Sequence, residues 1–396
     1  DYNFKQDYQY FFNPKNTFLF GFNAVHHTFT PGELTSTGGD STFKNDVSKK
    51  YAIEYALYLS HEYSMTDYLK FSYGLRYSGF ALIGPSNIYT YNQLGEVINN
   101  KYYNDGELIE YYGGLEPRAS VNYLIGADKS IKAAYTRNMQ YLHLLSNTTS
   151  TTPLDIWQPS TNNVKPGISD QISLGYYQNF KDNQYEASIE GYYKYLQNQI
   201  DYKNGADLLL NKFVESELVY GKGWVYGIEF FLRKNWGDLT GWISYTYSKS
   251  ERQFDAIDNG NPFPAKYDRT HDFSIVASYN LTPKWNFSAT WVFNTGNAVT
   301  YPSGKYKIGD NIVNLYSERN GYRMPDYHRL DIGITYTFEK HGSFGSSLNF
   351  TIYNAYGQKN AYSISFKENE SDPTKTDAVM KYLFTFFPSL TYNFHF

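Results

Sequence analysis

The chain has 396 residues and no cysteine, with 35 basic side chains against 39 acidic ones, for a net charge of −4. Thiolate metal sites and cysteine nucleophiles are therefore excluded, and the balanced charge gives no basic footprint for nucleic acid. Aromatic residues make up 19% of the sequence, 43 Tyr, 28 Phe and 6 Trp, while mean hydropathy is −0.57 and no apolar run approaches the roughly 20 residues of a membrane helix.

In chain order, the sequence divides into alternating segments of roughly 10–14 residues, near the length of a tilted membrane strand. Tyr2–Phe12 turns at Asn13–Asn16 into Thr17–Phe29, and a Gly, Ser and Thr-rich loop follows over Thr30–Lys49. Tyr51–Ser64 turns into Tyr68–Phe80, and a long loop runs to about Ile109. Glu110–Ile125 turns into Ser130–Leu142, before a loop holding Asn147–Pro153 and Asp155–Pro159. Asp170–Phe180 pairs with Gln184–Leu196, Trp224–Trp236 with Leu239–Ser250, and Tyr267–Asn280 with Trp285–Gly296. Tyr327–Phe338 and Phe344–Ala355 precede a last strand within Met380–Phe396.

That last stretch carries the strongest pattern. From Tyr382 the even positions read Tyr, Phe, Phe, Pro, Leu, Tyr, Phe, Phe, and the odd positions are mostly polar. Successive strand side chains point to opposite faces, so this is one apolar wall and one polar wall. Leu330, Ile332, Ile334, Tyr336 and Phe338 likewise oppose Arg329, Asp331, Gly333, Thr335 and Thr337. A strand between lipid and a polar lumen accounts for such alternation, and amphipathic rings in interfacial girdles account for the tyrosine. The expected fold is all-β, a transmembrane antiparallel β-barrel. A two-sheet sandwich also alternates, but its polar face meets bulk water and its strands are shorter.

Tight turns alternate with long polar loops, which places the turns on the periplasmic side and the loops outside. About fifteen strands are legible, whereas bacterial single-chain barrels have an even number. Either one strand is missed or further strands belong to another polypeptide or an upstream part; the second reading is preferred. Asp1 opens directly into a strand with no leader segment, so the expectation is the C-terminal part of a larger barrel, spanning 1–396, with the cut in an extracellular loop.

Five segments resemble those of Bacteroidetes-type TonB-dependent outer-membrane receptors: Arg323–Asp331 (RMPDYHRLD), Gly223–Arg233 (GWVYGIEFFLR), Leu239–Ser250 (LTGWISYTYSKS), Tyr267–Phe273 (YDRTHDF) and Asp155–Pro166 (DIWQPSTNNVKP). His27–Pro31 (HTFTP) extends the resemblance toward the start. The resemblance implies a barrel of about 22 strands with a plugged lumen, of which about fifteen lie here, and an upstream plug that contacts TonB. It further implies an outer-membrane location, lipid around the barrel, and, by analogy, an external lipoprotein lid.

Catalytic chemistry has little support, with no GxSxG or HExxH motif, and no cofactor is expected. His26 and His27 are neighbours, so they point to opposite faces and cannot chelate together. The acidic loop Asp255–Asn261 offers oxygens to a cation but misses the EF-hand spacing, and a solvated loop is the plainer reading. Arg329 and Asp331 point inward by alternation, as does Asp272; anchoring the plug and the barrel register explains them better than substrate contact. Tyr89, Tyr91, Tyr102, Tyr103, Trp157, Tyr301 and Tyr306 fall in extracellular loops, where rings with amide neighbours suit sugars, peptides or siderophores alike. Girdle or loop packing is the alternative for each. Phe396 and the strand before it fit the signal read during barrel assembly.

The resemblance therefore implies substrate-specific TonB-dependent transport. Its alternatives are a structural or adhesive barrel binding partners through its loops, and a passive porin.

Overall fold

The computed structural model describes residues 1–30, 48–145, 156–206, 208, 211–309, 311–316, 318–340, 342–372 and 375–396. Pro31, Asp155 and the Asn147–Pro153 stretch lie outside the described residues, as does most of the Thr30–Lys49 loop.

One antiparallel sheet of sixteen strands organises the chain. Fifteen follow one another along a continuous path: β1 (Tyr2–Asn13), β2 (Asn16–Phe29), β3 (Lys50–Ser64), β4 (Leu69–Ile83), β5 (Leu108–Leu124), β6 (Lys129–Gln140), β7 (Gly167–Phe180), β8 (Tyr185–Tyr202), β9 (Leu218–Lys234), β10 (Leu239–Phe254), β11 (His271–Asn280), β12 (Trp285–Asn294), β13 (Tyr327–Thr337), β14 (Gly345–Tyr353) and β15 (Phe387–His395). The sixteenth, Phe263–Pro264, pairs beside β10. Every path neighbour is also a sequence neighbour, so the sheet is an up-and-down meander. Among the described residues β1 pairs only with β2, and β15 only with β14. Among the described residues no helix is long and apolar enough to cross a membrane, and the strands carry the alternation instead.

The register turns that alternation into two continuous faces. Leu390 opposes Phe350, Phe350 opposes Ile334, Ile334 opposes Phe287, and Phe287 opposes Tyr279. One position along, Thr391, Asn349, Thr335, Asn286 and Asn280 form the polar counterpart. Its amides bond across strands: Asn349 Nδ2 donates to Thr335 Oγ1 at 2.7 Å, and Asn286 Nδ2 to Asn280 Oδ1 at 2.8 Å. At the other edge Phe20, Leu59 and Leu75 make the apolar row, and Asp7, Gly21, Tyr58, Arg76 and Glu116 the polar one. Gly21 is needed there, because a Cβ would stand 2.7 Å from the Tyr58 hydroxyl, which donates to Asp7 across it. Within the sheet, between its two edge strands, the ladder pairs the backbone N–H and C=O groups and so avoids the several kcal/mol that each unpaired group costs in hydrocarbon.

Several boundaries differ from the sequence reading. The last strand starts at Phe387 rather than in the Met380 region, because Thr376–Lys381 pairs with Ser363–Glu368 in a loop hairpin. The strand expected from Tyr267 starts at His271, since Asp268 turns inward to accept the Ser250 backbone N–H at 2.6 Å. β9 begins at Leu218 and β7 at Gly167, both earlier than the alternation suggests.

Connections alternate between tight turns, such as those after β1, β3 and β5, and long segments after β2, β4 and β6. The long segments fold onto themselves. Ser86–Tyr91 pairs with Val97–Tyr103, Leu142–Leu145 with Ile156–Pro159, and Gly304–Ile308 with Asn311–Leu315. The buried apolar residues sit at this end: Ala52, Phe80, Leu82 and Tyr141 form one cluster, and Leu145, Val164, Leu208, Val214 and Leu218 another. The core therefore lies where the loop-side ends of the strands meet the folded connections, and most strand residues away from that end stay partly exposed.

Candidate functional site in the loop cap

The cap is knotted around Glu215, in the short turn before β9. Its Oε1 accepts from Lys50 Nζ at 2.7 Å and Gln158 Nε2 at 2.9 Å. Its Oε2 accepts from Thr161 Oγ1 at 3.0 Å and Asn163 Nδ2 at 2.6 Å. Burial pushes the Glu215 carboxyl up, but Lys50 and the amide and hydroxyl donors outweigh it, and the net shift is down. Thr161 and Ser160 are fully buried beside it. Asn163 Nδ2 also donates to the Tyr89 carbonyl at 2.9 Å, so three long connections and the start of β3 meet at one carboxylate.

The aromatic candidates divide. Tyr89 packs edge-on against Phe213, with centroids 5.1 Å apart. Tyr91 lies close to the same knot, and burial, followed by the Glu215 charge, raises its phenol. Tyr301 belongs to a separate cluster with Tyr322 at 5.5 Å and Phe366 at 4.8 Å. Its hydroxyl is buried without a partner among the described residues, and burial raises its pKa. Tyr103 stacks under Lys101, whose Nζ is 4.1 Å from the ring centroid. Tyr102, Trp157 and Tyr306 are exposed. The seven thus occupy several places rather than one pocket.

The resembling segments are brought together. Arg323 pairs with Asp268, joining the RMPDYHRLD and YDRTHDF stretches, and its Nη1 reaches the Asp268 carbonyl at 2.7 Å. Asp326 Oδ1 accepts the Gly296 N–H at 3.0 Å, and a Cβ on Gly296 would meet the Met324 carbonyl at 1.7 Å. Arg329 and Asp331 share the polar face and bond each other, Nη2 to Oδ2 at 2.9 Å. Arg329 also donates to the Tyr353 hydroxyl at 2.8 Å and covers that ring at 4.2 Å, while Asp331 accepts the Asn354 N–H at 2.9 Å. Asp272 accepts from Asn294 at 2.8 Å. Asp258, in the acidic loop, spends its carboxylate on the Arg319 backbone N–H at 3.0 Å; among the described residues no group of three or more His, Cys, Asp or Glu could hold a metal ion. Phe396 lies exposed beside Phe344 and Phe394.

Sequence reasoning missed Lys50 and Glu215. It quoted Gln158, Thr161 and Asn163 only as part of a motif. The clustering of amide and hydroxyl residues in QPSTNN was the available signal. It also missed Glu190 and Glu229, directly opposed on β8 and β9. Both lie on the polar face, in a row that continues through Thr246 to Asp272. Among the described residues neither makes an ion pair with a basic side chain.

A family model described as "TonB dependent receptor-like, beta-barrel" matches residues 1–355. Among solved structures, the chain is similar to the ferric-catecholate import receptor Fiu of E. coli K12, at TM-score 0.61 and 13% identity, covering 99% of this chain and 54% of that one. The FrpB iron transporter of Neisseria meningitidis gives TM-score 0.61 and 12% identity, with 99% and 54% covered. The ferripyoverdine receptor of Pseudomonas aeruginosa gives 0.56 and 12%, with 99% and 47% covered. No protein of curated function matches by sequence. The chain spans about half the length of these solved receptors. A two-faced meander, long loops folded into a cap and a family match over most of the length agree: the chain belongs to the TonB-dependent receptor β-barrel family of the outer membrane.

Proposed function

We propose that this chain is the barrel portion of a substrate-specific transporter of the Bacteroidetes type, energised through TonB by an upstream plug. The apolar face meets outer-membrane lipid, and the polar face lines the lumen. Gating, not catalysis, is its chemistry. The observation that carries this reading is the pair Glu190 and Glu229. Like charges directly opposed on neighbouring strands repel, so the pair calls for a basic element from the lumen side, which a plug supplies. Asp272, in the same row, adds to that surface. Arg329 and Asp331, each satisfied by the wall, hold the register near it. The unpaired edges of β1 and β15 support further strands in the complete barrel, since open edges are costly in hydrocarbon.

Substrate contact falls to the loop aromatics Tyr89, Tyr91, Tyr102, Tyr103, Trp157, Tyr301 and Tyr306, and a surface lipoprotein over the cap is a further partner. Phe396, exposed at the end of β15, serves barrel assembly. In the full-length receptor, Glu190→Lys with Glu229→Lys should loosen the plug. Cells should then leak to large antibiotics normally excluded by the outer membrane. Unchanged exclusion at wild-type receptor levels would count against a plug seated on this row.

A further inference from the structure

Two arginines at the mouth lie against one short stretch at the end of β8. Arg252 lies on β10 six residues above Thr246, so alternation puts it on the polar face. It is half-buried, yet among the described residues its side chain makes one hydrogen bond, from Nη1 to the Ile200 carbonyl at 3.5 Å. No carboxylate among the described residues stands within ion-pair distance of it. A guanidinium offers five N–H donors in a fixed fork, so most of this one is unspent.

Arg319 approaches the same stretch from the connection before β13. Its side chain is 6% exposed. Nη2 donates to the Tyr202 carbonyl at 2.7 Å and to Asn204 Oδ1 at 3.1 Å, and its guanidinium lies 4.4 Å from the Tyr202 ring centroid. Nη1 stands 3.6 Å from Asp201 Oδ1, and Nε is buried with no partner among the described residues. Both guanidiniums therefore lie against Ile200–Tyr202; Asp201 faces the Arg319 side chain, and Asp258 is held on the Arg319 backbone N–H at 3.0 Å. Burying a charge without a partner is strongly unfavourable. The open fork of Arg252 and the unpartnered Nε of Arg319 describe a place where cationic N–H donors lack an acceptor.

We propose that Arg252 and Arg319 form a binding site for an oxyanion, a carboxylate or phosphate group on the transported ligand. This rests on the transport reading above. The fork of Arg252 takes the anion in two parallel N–H bonds, and Arg319, pinned by Tyr202 and Asn204, supplies the fixed second charge. Tyr267, exposed nearby, offers a ring face to the rest of the ligand.

The test is calorimetric titration of the purified full-length receptor with citrate and, separately, with inorganic phosphate. Wild type should bind at least one of them with one-to-one stoichiometry, weakening as NaCl is raised. R252Q should weaken binding at least about ten-fold, and R252K, which keeps charge but loses the fork, should fall between. Normal heat-modifiable mobility of unboiled R252Q would establish that it folds. Failure of both anions to bind wild type would overturn the site, as would equal binding by R252Q. That includes the case in which an upstream carboxylate already fills the pair. Co-purification with TonB reports on the transport reading separately, and R252Q should leave it unchanged.

Discussion

Lys50 and Glu215 stand 165 positions apart in sequence, yet Lys50 Nζ lies 2.7 Å from Glu215 Oε1. That bond ties the first residue of β3 to the turn before β9, and Gln158, Thr161 and Asn163 complete the ring of donors around the same carboxylate. Glu215→Ala leaves Lys50 without its partner in a largely buried site. Breaking such a pair costs roughly 3–5 kcal/mol, and here the loss is local to the cap. The expected outcome is rapid cleavage of the loops by external protease on intact cells, with the strands still protected. Loops as resistant as wild type would remove Glu215 as the keystone.

Acid should loosen the cap in two windows. Burial pushes the His143 imidazole down to about 4, so the unfolded loop binds a proton that the folded loop refuses. Stability is then lost as pH falls from about 6.5 toward 4, on the order of 3 kcal/mol in full. Glu215 has the opposite kind of partner but the same direction of loss. Its folded carboxyl sits below the ordinary 4.5, so its contribution holds above that value and disappears as pH falls through the lowered one. Loop opening followed by hydrogen exchange should show both steps; His143→Asn should erase the first and Glu215→Gln the second. A single step in wild type, below 4 only, would contradict the role of His143.

Asp268 is 1% exposed and holds Arg323 while accepting the Ser250 N–H. Asp268→Asn should destabilise the folded barrel by several kcal/mol in urea titration. Combining it with Arg323→Met should recover part of that loss, because the second change removes the orphaned cation. Strict additivity would mean that the two residues do not act as a pair.

Gly296→Ala forces a Cβ against the Met324 carbonyl, a backbone atom that cannot swing aside. Folded receptor in the outer membrane should fall sharply. Gly304→Ala, whose Cβ meets nothing within 4 Å, is the matched control and should be tolerated.

The two faces should respond differently to charge. Leu59→Arg, on the apolar row, should cost about 2–4 kcal/mol if it lies near the bilayer midplane, read as lost folding into lipid vesicles. Thr335→Arg, on the polar row, should fold nearly as well as wild type. Phe396→Asp should lower outer-membrane levels if the terminal ring serves assembly; unchanged levels would refute that role.

The faces were legible because strand geometry is local: Leu330 to Phe338 alternate in the sequence and alternate in β13. The fifteen strands could be counted for the same reason. Strand ends were not so readable. Tyr382, Phe384 and Phe386 continue the alternation of β15 but fall outside its ladder, because a hairpin in the preceding loop claims Met380 and Lys381. Asp268 fits a strand pattern, yet a distant arginine decides its place. The cap was the least legible part. The neighbours that make Glu215 matter lie 52 to 165 residues away, and no periodicity connects them. Loop aromatics stood out in the sequence by composition, whereas Arg252 and Glu229 sit inside ordinary strands and gain meaning only from what faces them.

If this sheet is part of a plugged, TonB-coupled transporter, as proposed, peptide mass mapping of the purified, unboiled receptor should find plug-bearing sequence, with its TonB-contacting segment and further strands, alongside this chain. Finding this chain alone, closed and membrane-inserted, would contradict it and favour a structural barrel or a porin.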